Sequence, residues 1–126
     1  MEIISISLDE KTFQDLNKTQ RKLGFKSRSK LLRATINSLL NEYTELEDLS
    51  GHSDVVFTVT HTHHSGKNFG KLMKDFEDTI RTEIHQHHAN TCLRVLILCG
   101  DAQKIKDFYV ALKRNREVNS VNYSIL

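Results

Sequence analysis

The apolar positions of this chain follow two rhythms. Residues 3–8, "IISISL", alternate: Ile4, Ile6 and Leu8 leave one side of a strand, and Ile3, Ser5 and Ser7 the other. Helical spacing follows. Phe13, Leu16 and Leu23 recur along a stretch that Asp9 can cap near Glu10 and Gly24 can end. A second helix is predicted after Ser27 or Ser29. Leu32, Ile36, Leu39 and Tyr43 form its inner stripe, with Leu31, Thr35 and Leu40 beside it. Residues 1–45 therefore read strand, helix, helix. A lone strand leaves its backbone unpaired, and two short helices cannot cover an adequate core. A two-fold dimer in which the strands of two copies pair solves both problems.

"TELEDLSGHS", residues 44–53, loses the periodicity and gains Gly and Ser, so residues 46–53 are expected to be a linker. Residues 54–126 then resume regular patterning. "DVVFTVTHTHH", 54–64, is rich in β-branched residues and predicts a strand. A helix starting at Gly66 would carry Phe69, Leu72, Met73, Phe76 and Ile80. Residues 83–88 and 92–99 predict a hairpin around "ANT", and Asp101 caps a helix with Ile105, Phe108 and Leu112 inward. "EVNSVNYSIL" closes the chain as a strand. The order βαββαβ is the ferredoxin-like (ACT-type) arrangement, an antiparallel sheet with helices on one face. The predicted class is α+β.

Composition narrows the function. At 126 residues and 38% apolar content, association of subunits would help the chain build its core. A net charge of +2 is too small for a global polycation, so nucleic-acid binding must use a local patch. No apolar run of about 18 residues predicts a membrane span. The N-terminus is too short and acidic for a signal peptide, and two cysteines without a secretion signal suit free thiols in a reducing cytoplasm.

Chemistry concentrates in two places. A two-stranded ribbon fits the major groove of B-DNA, which would turn Ile3, Ser5 and Ser7 toward base edges. The second helix would offer its N-terminus to a phosphate, with Lys26, Arg28 and Lys30 around it. The other place is "EIHQHHANTCLRVLIL", residues 83–98. His85 and His87 leave the same strand face, about 7 Å apart, and His88 the opposite one. Cys92 lies just past the turn and can return beside His87. Imidazole with thiolate suits nickel, copper, zinc or cobalt. Cys99, in the apolar run, is expected to be a buried hydrophobe. In the predicted topology the strand ending "THTHH" brings His61, His63 and His64 to the same rim, as further candidate ligands. An enzyme built on Cys92 with a histidine base would lack an acid to orient the base and a Gly-rich oxyanion loop. No enzyme activity is therefore expected.

"ISISLDEKTFQDLNKTQRKLGFKSRSKLLRATI" resembles the ribbon-helix-helix (MetJ/Arc/CopG) fold, above all in its inter-helix join, where Gly24, Phe25, Arg28 and Ser29 stand. With the C-terminal half included, the resemblance extends over nearly the whole chain to nickel-responsive regulators of the NikR type. It implies base contacts from Ile3, Ser5 and Ser7, although family members often have Arg where this chain has Ile3. An alkali-cation site in the second helix does not carry over, because Lys30 and Ala34 stand at its Glu and Asp positions. The family's square-planar metal site uses His-x-His, a Cys six residues later, and a His from the helix of another subunit. His85, His87 and Cys92 look like the first three, with the Cys one residue closer. The family's spacing puts Lys74 at the fourth.

The resulting expectation is a cytoplasmic, metal-responsive transcriptional regulator, read first as a repressor. Residues 1–45 would form a dimeric ribbon-helix-helix domain binding double-stranded operator DNA through Ile3, Ser5, Ser7, Lys26, Arg28, Ser29 and Lys30. Residues 54–126 would bind one transition-metal ion per subunit and assemble a homotetramer. Nickel is the first choice, with copper or zinc as competitors. The alternative is a ribbon-helix-helix regulator whose ACT-like domain senses a small molecule without metal dependence.

Overall fold

The computed structural model describes residues 1–62 and 67–126, which form two compact units, Met1–Thr44 and Glu45–Leu126. In the first unit, α1 spans Glu10–Leu23. It starts where predicted because the Asp9 carboxylate accepts the Thr12 N–H at 2.7 Å, satisfying a donor that the helix itself cannot. It ends at Gly24, whose φ of 73° lets its N–H turn back onto the Arg21 carbonyl while Phe25 bonds to that of Gln20. The second helix, α2, spans Arg28–Glu47 and begins where the Ser27 hydroxyl accepts the Lys30 N–H.

Residues 1–9 carry no strand, since a lone extended segment has no ladder partner within one chain. Ile3 and Ile4 are 91% and 81% exposed. The predicted stripe of α2 divides. Leu31 is buried and Leu32 and Tyr43 are half-buried, while Ile36, Leu39 and Leu40 are exposed.

Helix α2 also runs into the stretch expected to be linker, leaving only residues 48–51 before the first strand. Glu45, Leu46 and Glu47 are good helix formers, and Leu46 is fully buried in the second unit. The Lys106 ammonium donates to the Glu47 carbonyl there.

The second unit has strands β1 (His52–Thr62), β2 (Ile80–His88), β3 (Thr91–Asp101) and β4 (Val118–Ile125), with α3 (Lys67–Asp75) and α4 (Ala102–Arg114). The sheet is antiparallel in the order β2-β3-β1-β4, the ferredoxin-like arrangement read from the sequence. Alternation sets its core: Val55, Phe57, Val59 and His61 of β1 are buried, as are Cys92, Leu96 and Leu98 of β3. Phe108 of α4 meets Phe57 edge-on at 5.3 Å. Helix α3 is shorter than predicted. It ends at Asp75, Phe76 follows it to pack edge-on against Phe108 at 5.1 Å, and Ile80 opens β2. The predicted helix start at Gly66 and the strand end at 63–64 lie outside the described residues.

Candidate metal centre

The site follows from strand register. Across β1, β3 and β2 the outermost rung is His61, Cys92 and His87; the next is Val59, Arg94 and His85; the third is Phe57, Leu96 and Glu83. Side chains two apart on a strand share a face, so all nine look toward the side where Phe69 of α3 and Phe108 of α4 pack. The face changes from apolar to ligand-bearing toward one edge.

The hairpin explains the shortened His–Cys spacing. A two-residue turn at Ala89 and Asn90 pairs His88 with Thr91, which puts His87 directly opposite Cys92. Cys92 Sγ lies 3.2 Å from His87 Nδ1. The His85 and His87 ring centroids are 4.5 Å apart. His61 completes the group: the ligand atoms of His61, His85 and Cys92 lie within 4.8 Å of one another.

His61 is buried, stacked on Phe69 at 4.1 Å, and hydrogen-bonded at both ring nitrogens. Its Nδ1 faces the Thr62 carbonyl at 2.9 Å, so that nitrogen donates. Its Nε2 accepts from Arg94 Nε at 2.9 Å. Burial pushes the imidazole pKa below its ordinary value and the Arg94 charge adds to this, against the opposing Thr62 carbonyl. Neutral His61 is therefore held in the tautomer whose Nε2 carries the lone pair. Arg94 also pairs with Glu83 and lies 5.3 Å from the Phe69 ring centre. Burial lowers the Arg94 pKa from its usual range.

These donors fit a transition metal. Two imidazoles and a thiolate suit nickel, copper or zinc. Bond lengths of about 2.0–2.3 Å put the donors around one ion at most about 4.5 Å apart. The 4.8 Å spread exceeds that by only a few tenths of an ångström.

The predicted His85, His87 and Cys92 thus come together, joined by His61. His63 and His64 lie outside the described residues. Lys74 is exposed on α3 and lines a surface depression with Met73, Glu77, Arg81 and Glu83. Cys99 is not a buried hydrophobe. It is half-buried on the opposite sheet face, across from Asp54, whose hydrogen bond raises its thiol pKa. The roles of Arg94 and Glu83 went unread in the sequence. The available signal was a charged residue in the inward register of "CLRVLILC".

In the first unit, Ile3, Ser5, Ser7, Lys26, Ser29 and Lys30 are all exposed. Arg28, exposed like them, also makes contacts within the unit. Its Nε and Nη2 donate to Asn17 Oδ1 at 3.3 and 3.2 Å, and its guanidinium lies 4.9 Å from the Phe13 ring centre. It ties the first turn of α2 to α1. Among the described residues, no helix is long and apolar enough to cross a membrane.

Residues 55–126 match the family described as "NikR C terminal nickel binding domain". A protein of Methanococcus maripaludis (strain C7) named "Putative nickel-responsive regulator" is 29% identical over 130 residues, covering 100% of this chain and 92% of its own. A protein of Methanothermobacter thermautotrophicus named "Putative nickel-responsive regulator 2" is 26% identical over 122 residues, covering 94% of this chain and 87% of its own. Among solved structures, an uncharacterized protein from Thermotoga maritima shares the fold with a TM-score of 0.54 at 17% identity. That match covers 60% of this chain and 99% of the other.

Proposed function

The chain belongs to the NikR family of nickel-responsive regulators, and on that premise we propose that it binds operator DNA under the control of a bound transition metal. Residues 1–45 are the DNA-binding part. Two copies pair their residues 3–8 as a ribbon in the major groove, with Ser5 and Ser7 outward. Pairing would also cover the exposed Ile4, Ile6, Ile36 and Leu39, which a single chain leaves in water. Two such dimers join through their C-terminal sheets as a homotetramer, and each chain holds one ion.

One observation carries the metal reading: the donor atoms of His61, His85 and Cys92 lie within 4.8 Å of one another, inside the segment that matches a nickel-binding family. His87, against Cys92, is the fourth candidate donor. Nickel is favoured by the family, and copper and zinc suit the same donors. His61 of β1 and His85 and Cys92 of the hairpin would hold the ion, which would then link these two parts of the sheet. The ion favours one arrangement of the DNA-binding dimers only as far as its affinity differs between arrangements. A hundredfold change in operator affinity needs about 2.7 kcal/mol of such coupling.

The test is equilibrium dialysis of the full chain against nickel, with metal analysis, followed by titration of DNA with and without the ion. One ion per chain and a metal-dependent operator affinity are expected, with four chains by sedimentation. A chain that takes up no transition metal at micromolar concentration overturns the metal reading. Replacing Ser5 and Ser7 by Ala should weaken specific binding more than non-specific binding, because base contacts specify and phosphate contacts position. Equal loss on both removes the base-reading role.

A further inference from the structure

We propose that Arg94 is a built-in cationic placeholder in the metal centre, one that an incoming ion must displace from His61 before that histidine can serve as a ligand. The inference rests on the metal reading above and adds a residue to it that is not a ligand.

The argument begins with the two nitrogens of His61. Nδ1 donates to the Thr62 carbonyl, so Nε2 is the nitrogen with a lone pair to give. Arg94 Nε already holds that lone pair at 2.9 Å. One lone pair cannot accept from a guanidinium and bind an ion at the same time. Charge points the same way. Arg94 stands directly across from His85 in register, so its positive charge sits among the donors, where a dication would be repelled. A guanidinium does not lose its proton in a protein, so the centre becomes receptive only if the side chain moves.

The structure gives it somewhere to go. Glu83, two residues before His85 on the same face of β2, holds Arg94 Nη1. Phe69 lies beneath the guanidinium, 5.3 Å from ring centre to Cζ. An Arg94 released from His61 keeps its carboxylate and its aromatic support, and loses one hydrogen bond. Two arrangements of the same few residues follow: guanidinium on His61, and guanidinium on Glu83 alone. Only the second leaves His61 open, so apparent metal affinity is reduced by the fraction of chains in the first. Arg94 thereby raises the free-metal level to which the centre responds, and cations that bind imidazole weakly are refused.

The experiment is a double-mutant cycle on the full chain, with nickel alone titrated against a competing chelator. Wild type, Arg94→Met, His61→Phe and the double variant are compared, each checked by circular dichroism for its fold. Arg94→Met is expected to tighten nickel binding about tenfold in the wild-type background and less than twofold in the His61→Phe background. Arg94→Gln carries the same sign and serves if Arg94→Met does not fold. In metal-free protein the His61 Nε2 ¹⁵N resonance should move on either Arg94 substitution, while Nδ1 stays protonated. Unchanged or weaker binding on Arg94 substitution overturns the proposal. So does an equal gain in both backgrounds, which would reduce Arg94 to a distant charge. If the wild type binds no nickel, the same cycle is run with copper and zinc, and if neither binds, the metal reading itself falls. If the wild type binds an ion and the cycle is flat, this inference alone falls.

Discussion

Cys92 stands directly across the β2–β3 hairpin from His87, its Sγ 3.2 Å from that ring's Nδ1, whereas Cys99 lies on the other face of the same strand. Cys99 lies an odd number of positions after Cys92 along the alternating strand, so the sheet itself divides the two thiols between environments. Cys92→Ser should abolish the thiolate-to-metal charge-transfer absorption and weaken metal binding. Cys99→Ser should leave both unchanged. A band that survives Cys92→Ser and disappears with Cys99→Ser would place the centre on the wrong face.

The hairpin that creates this pairing holds Ala89 at a φ of 53°. A left-handed backbone at a residue with a Cβ costs about 1–2 kcal/mol, and glycine adopts it without that penalty. Ala89→Gly should therefore stabilise the C-terminal unit by about 0.5–1 kcal/mol, after allowing for the extra freedom of glycine in the unfolded chain. Urea denaturation measures it. A loss of stability would mean that the turn does not depend on this conformation.

Much of this architecture could be read from local pattern. Asp9, Gly24 and Asp101 mark helix ends through their own side chains or backbone freedom, and all three do so in the structure. The ferredoxin-like strand order follows from the βαββαβ succession and the convergence of His61 with Cys92 follows from that order, so both were legible in advance. Two things were not. The α2 extension through Leu46 depends on burial in the second unit, which composition around a Gly-Ser stretch conceals. The contacts of Arg94 depend on three strands meeting, and a single strand's pattern shows a charge in an inward position without naming its partners.

The N-terminal cap sets a pH response. The hydrogen bonds from Thr12 hold the Asp9 carboxyl below its ordinary value of 3.8. In the window below that value the unfolded chain binds the proton more readily than the folded one, so stability rises with pH there. The contribution is complete above about pH 3.8 and is lost as pH falls through the depressed folded value. The protection of the Thr12 and Phe13 amides, relative to their intrinsic exchange rates, should fall below that point in the wild type. Asp9→Asn, which keeps an acceptor and removes the titration, should show less dependence. Identical profiles would separate the cap from the acid response.

The basic residues at the start of α2 should part into two classes. Lys26, Arg28 and Lys30 are all exposed, but Arg28 is bonded to Asn17 and lies over Phe13. Lys26→Ala and Lys30→Ala should leave thermal stability unchanged and weaken DNA binding on every sequence alike, each lowering the salt slope by about one. Arg28→Ala should instead destabilise the N-terminal unit by about 0.5–1 kcal/mol, the scale of one exposed cation–aromatic contact. Any loss of DNA binding would then accompany the loss of folded α1. Melting curves and DNA titrations at several salt concentrations, run on the same three variants, separate the classes. If Arg28→Ala lowers the salt slope and leaves the melting curve in place, Arg28 is a phosphate contact and its tie to Asn17 contributes nothing measurable.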